Sequence, residues 1–550
     1  MIKTRVKQTI DRCFAEGAEQ GLWSRQAEGR YTVEVPKREE QGDFSTNFAM
    51  VAAKADRRNP RDLAAPFADL LAADPIFARV EIAGPGFINL FLTRDVWATV
   101  LAPVWTEDER FGRSEMGAGR RVLVEFVSAN PTGPLSVGHG RNAVLGDAIA
   151  RLLVATGYQV QREYYFNDAG RQMRVLGEST RARYLELLGL PFEFPEDGYQ
   201  GDYIRDIART LVDEGGDRFR DADLSVFKER AQQAIFADID ATLKRIGISF
   251  DTYFNEHTLY ADGRVDQVVE ALRGRGLVYE KEGATWFRTT EFGQAQDRVI
   301  IKSSGEPTYR LPDIAYHCDK FQRGYDWMID VFGSDHIATV PDVLAGLRAL
   351  GHDPDRVTVV LYQFVTLLRD GKQVKMSTRK ATFVTVDELV DEVGADAFRF
   401  FLLMRKPDSL IEFDLDLATR QSQENPVYYV QYAHARLCSI ERTAREQGVT
   451  LAGPEGADLG LLVEPEEFAL LKSLAAYPQL VAGAAVDLAP HRVIFALMEL
   501  AAQFHGFYNR HKVLTDDREL TLARLCLCGG LKRVFRNGLH LVGLTAPESM

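Results

Sequence analysis

Residues 122–141 restrict the fold of this chain more than any other stretch. Val122, Leu123, Val124, Phe126 and Val127 make an apolar run that reads as a buried strand over 122–127. Asn130, Pro131, Thr132, Gly133 and Pro134 then break the ladder and read as a loop. Val137, Gly138, His139 and Gly140 follow, and the spacing predicts a helix over 141–155 with Gly157 closing it. A strand, a tight loop and a helix start aim backbone N–H groups, the positive end of a helix dipole and an imidazole at one point. An anionic ligand such as a nucleotide phosphate suits that point. A second strand over 158–165 completes a strand–helix–strand unit, which calls for a parallel, doubly wound sheet.

With 550 residues the chain is too long for one core, and about two to four domains are expected. Residues 1–115 read as a small α+β domain. It has a helix over 2–16, a strand over 31–36, a turn at 41–47 feeding a helix, and two strands bent at Gly84, Pro85 and Gly86. Residues 116–424 read as a Rossmann-type parallel-sheet domain interrupted by a helical insertion at 170–274. Its strands resume at 299–302, 327–332 and 357–362, and residues 387–401 are helical. Residues 425–550 read as an all-α helical-bundle domain.

The net charge of −13, from 66 basic and 79 acidic residues, argues against a general nucleic-acid coat. It leaves room for a local basic face, for which residues 509–512 and 532–536 are candidates. Cys13, Cys318, Cys438, Cys526 and Cys528 form no C-x-x-C pair, so neither a zinc site nor a disulfide framework is expected. The N-terminus lacks the apolar centre of a signal peptide. The apolar run near 493–504 contains Glu499 and is too short for a bilayer. A cytoplasmic protein without a membrane span is the expectation.

A second motif stands far along the chain. Lys372, Lys375, Met376, Ser377, Thr378, Arg379 and Lys380 crowd cations onto one short segment, which could act on a departing pyrophosphate. Alone, the first motif reads best as a capping turn and the second as an exposed basic turn. Together on a parallel sheet they favour nucleotide chemistry.

These two motifs resemble the HIGH and KMSK signatures of class I aminoacyl-tRNA synthetases, and residues 125–141 resemble the bacterial arginyl-tRNA synthetases in particular. The likeness runs the length of the chain. Gly42, Asp43, Asn47 and residues 84–89 are similar to that family's N-terminal domain. Residues 165–172 and 198–203 are similar to its catalytic core and insertion. Residues 429–436 resemble the opening of its anticodon-binding domain, and the chain's ending is similar too. Two positions depart from the pattern: Ser136 stands for the first His of HIGH, and Thr378 for the last Lys of KMSK, with Arg379 and Lys380 directly after.

The resemblance implies ligation of L-arginine to its tRNA through arginyl-adenylate. ATP would enter with Mg²⁺ as a substrate ion, with no tightly held metal, and the protein would act as a monomer. It implies catalytic roles for His139, Lys375, Ser136 and Arg379, and ATP contacts from Gly138, His139, Gly140, Lys375, Met376 and Ser377. Glu125 and Asn130 match positions that hold the substrate amino and carboxylate groups, while Tyr309, Asp313 and Asp335 match side-chain contacts. A guanidinium calls for such planar carboxylate acceptors. Tyr429, Tyr432 and Arg436 mix aromatic and basic character and are the candidate tRNA contacts, with the N-terminal domain a second one. A class I synthetase for another amino acid, a non-catalytic tRNA-binding paralogue and a small-molecule nucleotidyltransferase remain open. The long helical tail speaks against the last.

Overall fold

The computed structural model describes residues 2–374, 384–450 and 453–550. Its centre is a five-stranded sheet in the spatial order Val357–Tyr362, Trp327–Gly333, Arg121–Glu125, Gln159–Phe166, Thr252–Asn255. Every neighbouring pair is parallel. Val122 to Glu125 are all buried, which is the continuous pattern of a strand covered on both faces. The chain enters at this central strand, winds outward through 159–166 to 252–255, and later returns on the other side. The winding therefore reverses between Arg121–Glu125 and Trp327–Gly333, and the crevice beyond their C-terminal ends is where such sheets bind ligands.

The crossover helix is Val137–Ala155, and it is buried on nearly every side. Gly146 lets it approach the sheet: a Cβ there would stand 2.3 Å from the Phe126 ring. The helix begins four residues before the predicted start. Ser136, in extended conformation at φ −80°, ψ 165°, caps it, so the Val-Gly-His-Gly segment is its first turn and not a loop.

Three further expectations change. The stretch 170–274 is mostly helical, with Gly170–Leu187, Asp202–Gly215 and Leu224–Arg245 as its long helices, but Thr252–Asn255 within it is the edge strand of the main sheet. Arg298–Ile301 does not rejoin that sheet. It pairs antiparallel with Ala284–Phe287, which pairs in turn with Val278–Lys281. These strands are close in sequence, so their pairing closes only short loops. The turn at 41–47 contains a strand, Phe44–Thr46, before the helix Phe48–Asp56.

In the N-terminal region a four-stranded sheet carries helices whose core is an aromatic cluster of Phe14, Trp23, Phe48 and Phe67. Its hairpin Phe77–Ala83 to Phe87–Leu92 turns through Gly84 and Gly86, both at positive φ. The C-terminal region consists of Pro426–Glu446, Pro465–Val486, His491–Arg510 and Arg518–Leu541. Among them Pro465–Val486 is long and apolar enough to cross a membrane by length and composition. Here it is a bundle helix: Leu470, Leu471, Leu474 and Val481 face the core, and the buried Glu467 accepts from Arg524 at 2.8 Å. The fold class is thus mixed α/β, with a parallel-sheet centre, an N-terminal α+β domain and a helical C-terminal domain.

Candidate functional site

A cleft of about 490 Å³ opens at the C-terminal ends of the parallel strands, at the winding reversal. Glu125, Asn130, His139, Tyr309, Asp313 and Asp335 all line it. They come from three separate stretches of sequence, 125–139, 309–313 and the residue Asp335, and the sheet brings them together.

The turn after the central strand is held in an unfavourable shape. Val127 and Ser128 sit at φ 65° and 41°, a region that a β-branched residue rarely enters. Surrounding bonds fix it. Asn142 on the crossover helix accepts the Val127 N–H at 2.7 Å and donates to Val331 O at 2.8 Å, tying the turn to the adjacent strand. Ser128 Oγ donates to Glu125 at 3.0 Å and accepts from the Tyr165 N–H at 3.1 Å. The Tyr164 hydroxyl donates to Ala129 O at 2.8 Å.

Carboxylates dominate the cleft. Lys320, 0% exposed, lies beneath it and donates to Glu125 at 2.6 Å and to Asp330 at 2.7 Å. Burial pushes Glu125 up. Despite burial, Lys320 and His317 hold Asp330 well below the usual carboxylate range. Burial, reinforced by Glu125 and Glu256, pushes Asp313 up to about 7. Burial likewise raises Glu256. Among the described residues Lys320 and His317 stand against Glu125, Asp313, Glu256, Asp330 and Asp335, so acids outnumber cationic partners at the cleft, which favours a positively charged ligand. Tyr309 is 71% exposed at the rim, capping the helix Arg310–Gln322 whose first turn carries Asp313.

Glu256 and Asn167 are lining residues that the sequence reading missed. Glu256 directly follows the edge strand 252–255. Recognising that strand inside a helical stretch would have marked the acid at its end.

At the helix start, the Ser136 N–H donates to His139 Nδ1 at 3.2 Å. An acceptor role for Nδ1 leaves the ring proton on Nε2. Burial lowers the His139 pKa, with Asp335 opposing, so the ring is a neutral donor. Ser136, Gly138 and Gly140 are not brought to the cleft wall. Ser136 caps the helix and orients His139. Gly140 is small because a Cβ would stand 2.5 Å from Phe398 on the helix Ala395–Leu403.

Lys375, Met376, Ser377 and Arg379 lie outside the described residues, as does Thr378. The described flanks lead to the histidine motif. Thr385 pairs with Ser136 in an antiparallel bridge, and Val386 N–H donates to Leu135 O at 2.8 Å.

In the helical region Tyr432 and Arg436 line a groove of about 610 Å³, together with Tyr508, Lys512 and the C-terminal Met550. The rings of Tyr428 and Tyr432 stack at 5.8 Å, and the Arg436 guanidinium lies 4.5 Å from Tyr432 and 4.7 Å from Tyr508. Tyr429 does not line the groove; its ring packs on His505, 4.6 Å away. Nearby, Glu464, Glu466 and His511 bring ligand atoms within 4.8 Å of one another. Arg510 and His511 already engage Glu466, so this is an ion-pair network with a guanidinium inside it.

A doubly wound parallel sheet, a histidine at the head of its first crossover helix and an acidic cleft at the winding reversal, followed by a helical domain, fit the resemblance to class I aminoacyl-tRNA synthetases. Comparison with known proteins narrows this. The arginyl-tRNA synthetase N-terminal domain model matches residues 1–92, the class I (R) catalytic domain model residues 102–187 and 201–414, and the DALR anticodon-binding domain model residues 430–550. An arginine–tRNA ligase of Desulfotalea psychrophila is 63% identical, with 100% of each chain covered. One of Salinibacter ruber is 50% identical over 94% of this chain and 95% of its own. A Campylobacter jejuni structure described as a putative arginyl-tRNA synthetase superposes with TM-score 0.77 at 33% identity, covering 84% of this chain and 100% of its own. The chain belongs to the arginyl-tRNA synthetase family.

Proposed function

We propose that the protein ligates L-arginine to its tRNA in two steps. The arginine carboxylate attacks the α-phosphorus of ATP, giving arginyl-adenylate and releasing pyrophosphate. The 2′-hydroxyl of the tRNA's terminal adenosine then attacks the activated carbonyl, giving arginyl-tRNA and AMP. The observation that carries this reading is the convergence of Glu125, Asp313 and Glu256 on one largely buried cleft at the winding reversal. Such a site selects a cation with planar donors.

Asp313 and Glu256 take the guanidinium, with Tyr309 at the rim and Asp335 as a further contact. Glu125 takes the substrate ammonium and Asn130 its carboxylate. The Nε2–H of His139 and the helix start hold the triphosphate, which arrives with Mg²⁺ as its substrate ion. Lys375, with Met376, Ser377 and Arg379 around it, acts on the departing pyrophosphate. Val340, Val343 and Leu344 offer an apolar wall for the adenine. No side chain becomes a covalent intermediate; positioning and electrostatics lower the barrier. Tyr432 and Arg436, with Tyr508, take unstacked tRNA bases, and Tyr429 supports them from behind. The protein works in the cytoplasm as a monomer, in three parts near 1–115, 116–424 and 425–550.

The test is ATP–pyrophosphate exchange with each amino acid in turn, with and without tRNA. Exchange supported by arginine above all others is expected. Exchange absent under both conditions, or supported better by another amino acid, rejects the reading.

A further inference from the structure

Tyr203 stands in the first turn of the helix Asp202–Gly215, and its side chain reaches a distant part of the chain. The phenol hydroxyl donates to the Thr132 carbonyl at 2.5 Å, 71 residues earlier. Thr132 belongs to the loop that follows the central strand, and its own N–H donates to Asn130 O at 2.7 Å. Glycines flank the tyrosine. A Cβ on Gly133 would lie 3.0 Å from the hydroxyl, and one on Gly201 would lie 2.2 Å from the ring. Neither glycine has a positive φ, so it is the close approach of the ring that calls for them. Burial raises the phenol pKa, which keeps the hydroxyl protonated and able to donate.

The loop is fastened on both sides of Asn130. On the near side Asn142 accepts the Val127 N–H and the Tyr164 hydroxyl donates to Ala129 O. On the far side Tyr203 holds Thr132. Asn130 between them is exposed on the cleft wall, and among the described residues its side chain makes no hydrogen bond. Its place is therefore set by the backbone on either side. Tyr203 does not line the cleft. The helix that carries it is itself anchored: Ala208 and Leu211 pack with Tyr184 and Phe227, and the Tyr199 N–H donates to Ser179 Oγ at 3.0 Å. Tyr184 and Ser179 lie on Gly170–Leu187, which starts just after Asn167, another lining residue, at the end of the neighbouring strand. The helical excursion thus leaves the sheet beside the cleft and returns to fasten the loop of the adjacent strand.

We propose that Tyr203 is a positioning residue for the arginine carboxylate, acting through Thr132 on the loop that presents Asn130. This rests on the ligase reading above, in which that carboxylate is the nucleophile and Asn130 its contact. Tyr203 makes no contact with Asp313 or Glu256, so recognition of the guanidinium does not depend on it.

The test uses the full-length protein with tRNA present. Tyr203→Phe removes one hydroxyl and keeps the ring. In arginine-dependent ATP–pyrophosphate exchange its kcat is expected to fall by about 10- to 100-fold, the upper figure being the cost of a misplacement near 1 Å. Agmatine, which is arginine without its carboxyl group, separates this effect from a general structural loss. By calorimetry Tyr203→Phe should bind arginine about tenfold more weakly, the worth of one hydrogen bond, and should bind agmatine as the wild type does. In an Asn130→Ala background the same substitution should cost little more, since the group it positions is already gone. Gly133→Ala crowds the hydroxyl from the loop side and should lower kcat in the same direction; it serves where Tyr203→Phe does not fold. Equal losses for arginine and agmatine, or additive losses with Asn130→Ala, would overturn the proposal. If the wild type itself shows no arginine-dependent exchange, the ligase reading fails. If the wild type exchanges and both variants match it, only this inference fails.

Discussion

The ammonium of Lys320 lies 2.6 Å from the carboxylate of Glu125, with both side chains buried beneath the cleft. Asp330 shares the same ammonium at 2.7 Å. The arrangement holds Glu125 in place and satisfies it from below. Among the described residues neither Asp313 nor Glu256 makes an ion pair, and both line the cleft.

Asp313→Asn removes one of these acceptors while keeping the shape of the side chain. The variant should bind arginine about 2–5 kcal/mol more weakly, because the guanidinium is left in a largely dry site with a neutral partner. Steady-state exchange should show the loss in KM for arginine. An unchanged KM would place Asp313 outside the substrate contact.

The same residue makes arginine binding pH-dependent. Asp313 titrates at about 7 in the free protein against 3.8 for an unperturbed aspartate, chiefly through burial. Glu125 and Glu256 push it up, while His317 and Lys320 pull it down. A carboxyl raised in the folded state binds its proton there more tightly than in the unfolded chain. Its contribution to stability therefore falls as pH rises from about 4 to about 7. A bound guanidinium reverses this by favouring the ionised form. Arginine should raise the melting temperature more at pH 8 than at pH 6, and KM for arginine should climb as pH falls below 7. A flat KM across that range would contradict the assignment.

Lys320→Met strands Glu125 without a cation and leaves Asp330 with His317 as its partner, in a place from which water is excluded. Breaking a buried pair from one side costs about 3–5 kcal/mol. Chemical denaturation should show a lower midpoint with an unchanged slope. If stability is retained at pH 7, the ammonium is not what holds those carboxylates.

Tyr432→Ala should weaken tRNA binding by about 1–3 kcal/mol, the usual worth of one stacked base. It also removes the ring against which Arg436 rests. Filter binding of tRNA should report the loss, with arginine KM in the exchange reaction unmoved. Tyr429→Phe, at the partly buried ring that packs on His505, should leave tRNA affinity as it is.

Much of this was legible in the chain. The strand–loop–helix unit at 122–155 declared a parallel sheet because an apolar run followed by Gly and Pro and then a helical period has few other solutions. The helical C-terminal region was equally plain from its period. Thr252–Asn255 and Arg298–Ile301 were not. Each strand is only four residues long, and nothing local distinguishes a strand that completes a parallel sheet from one that pairs with a nearby hairpin. For Ser136 and Gly140 the sequence points to a ligand, and what the structure adds is their protein neighbours, His139 and Phe398, the second of them far away in sequence.

Residue types and their order along the chain determined, unaided, that this protein would place a histidine at a helix start on a doubly wound sheet and end in a helical domain. Those features follow from local period and turn chemistry. Which acids would share the cleft, and that Glu256 would join Asp313, was decided only by tertiary structure. Charge repulsion and burial act through space, between strands that the fold sets side by side and the sequence keeps far apart.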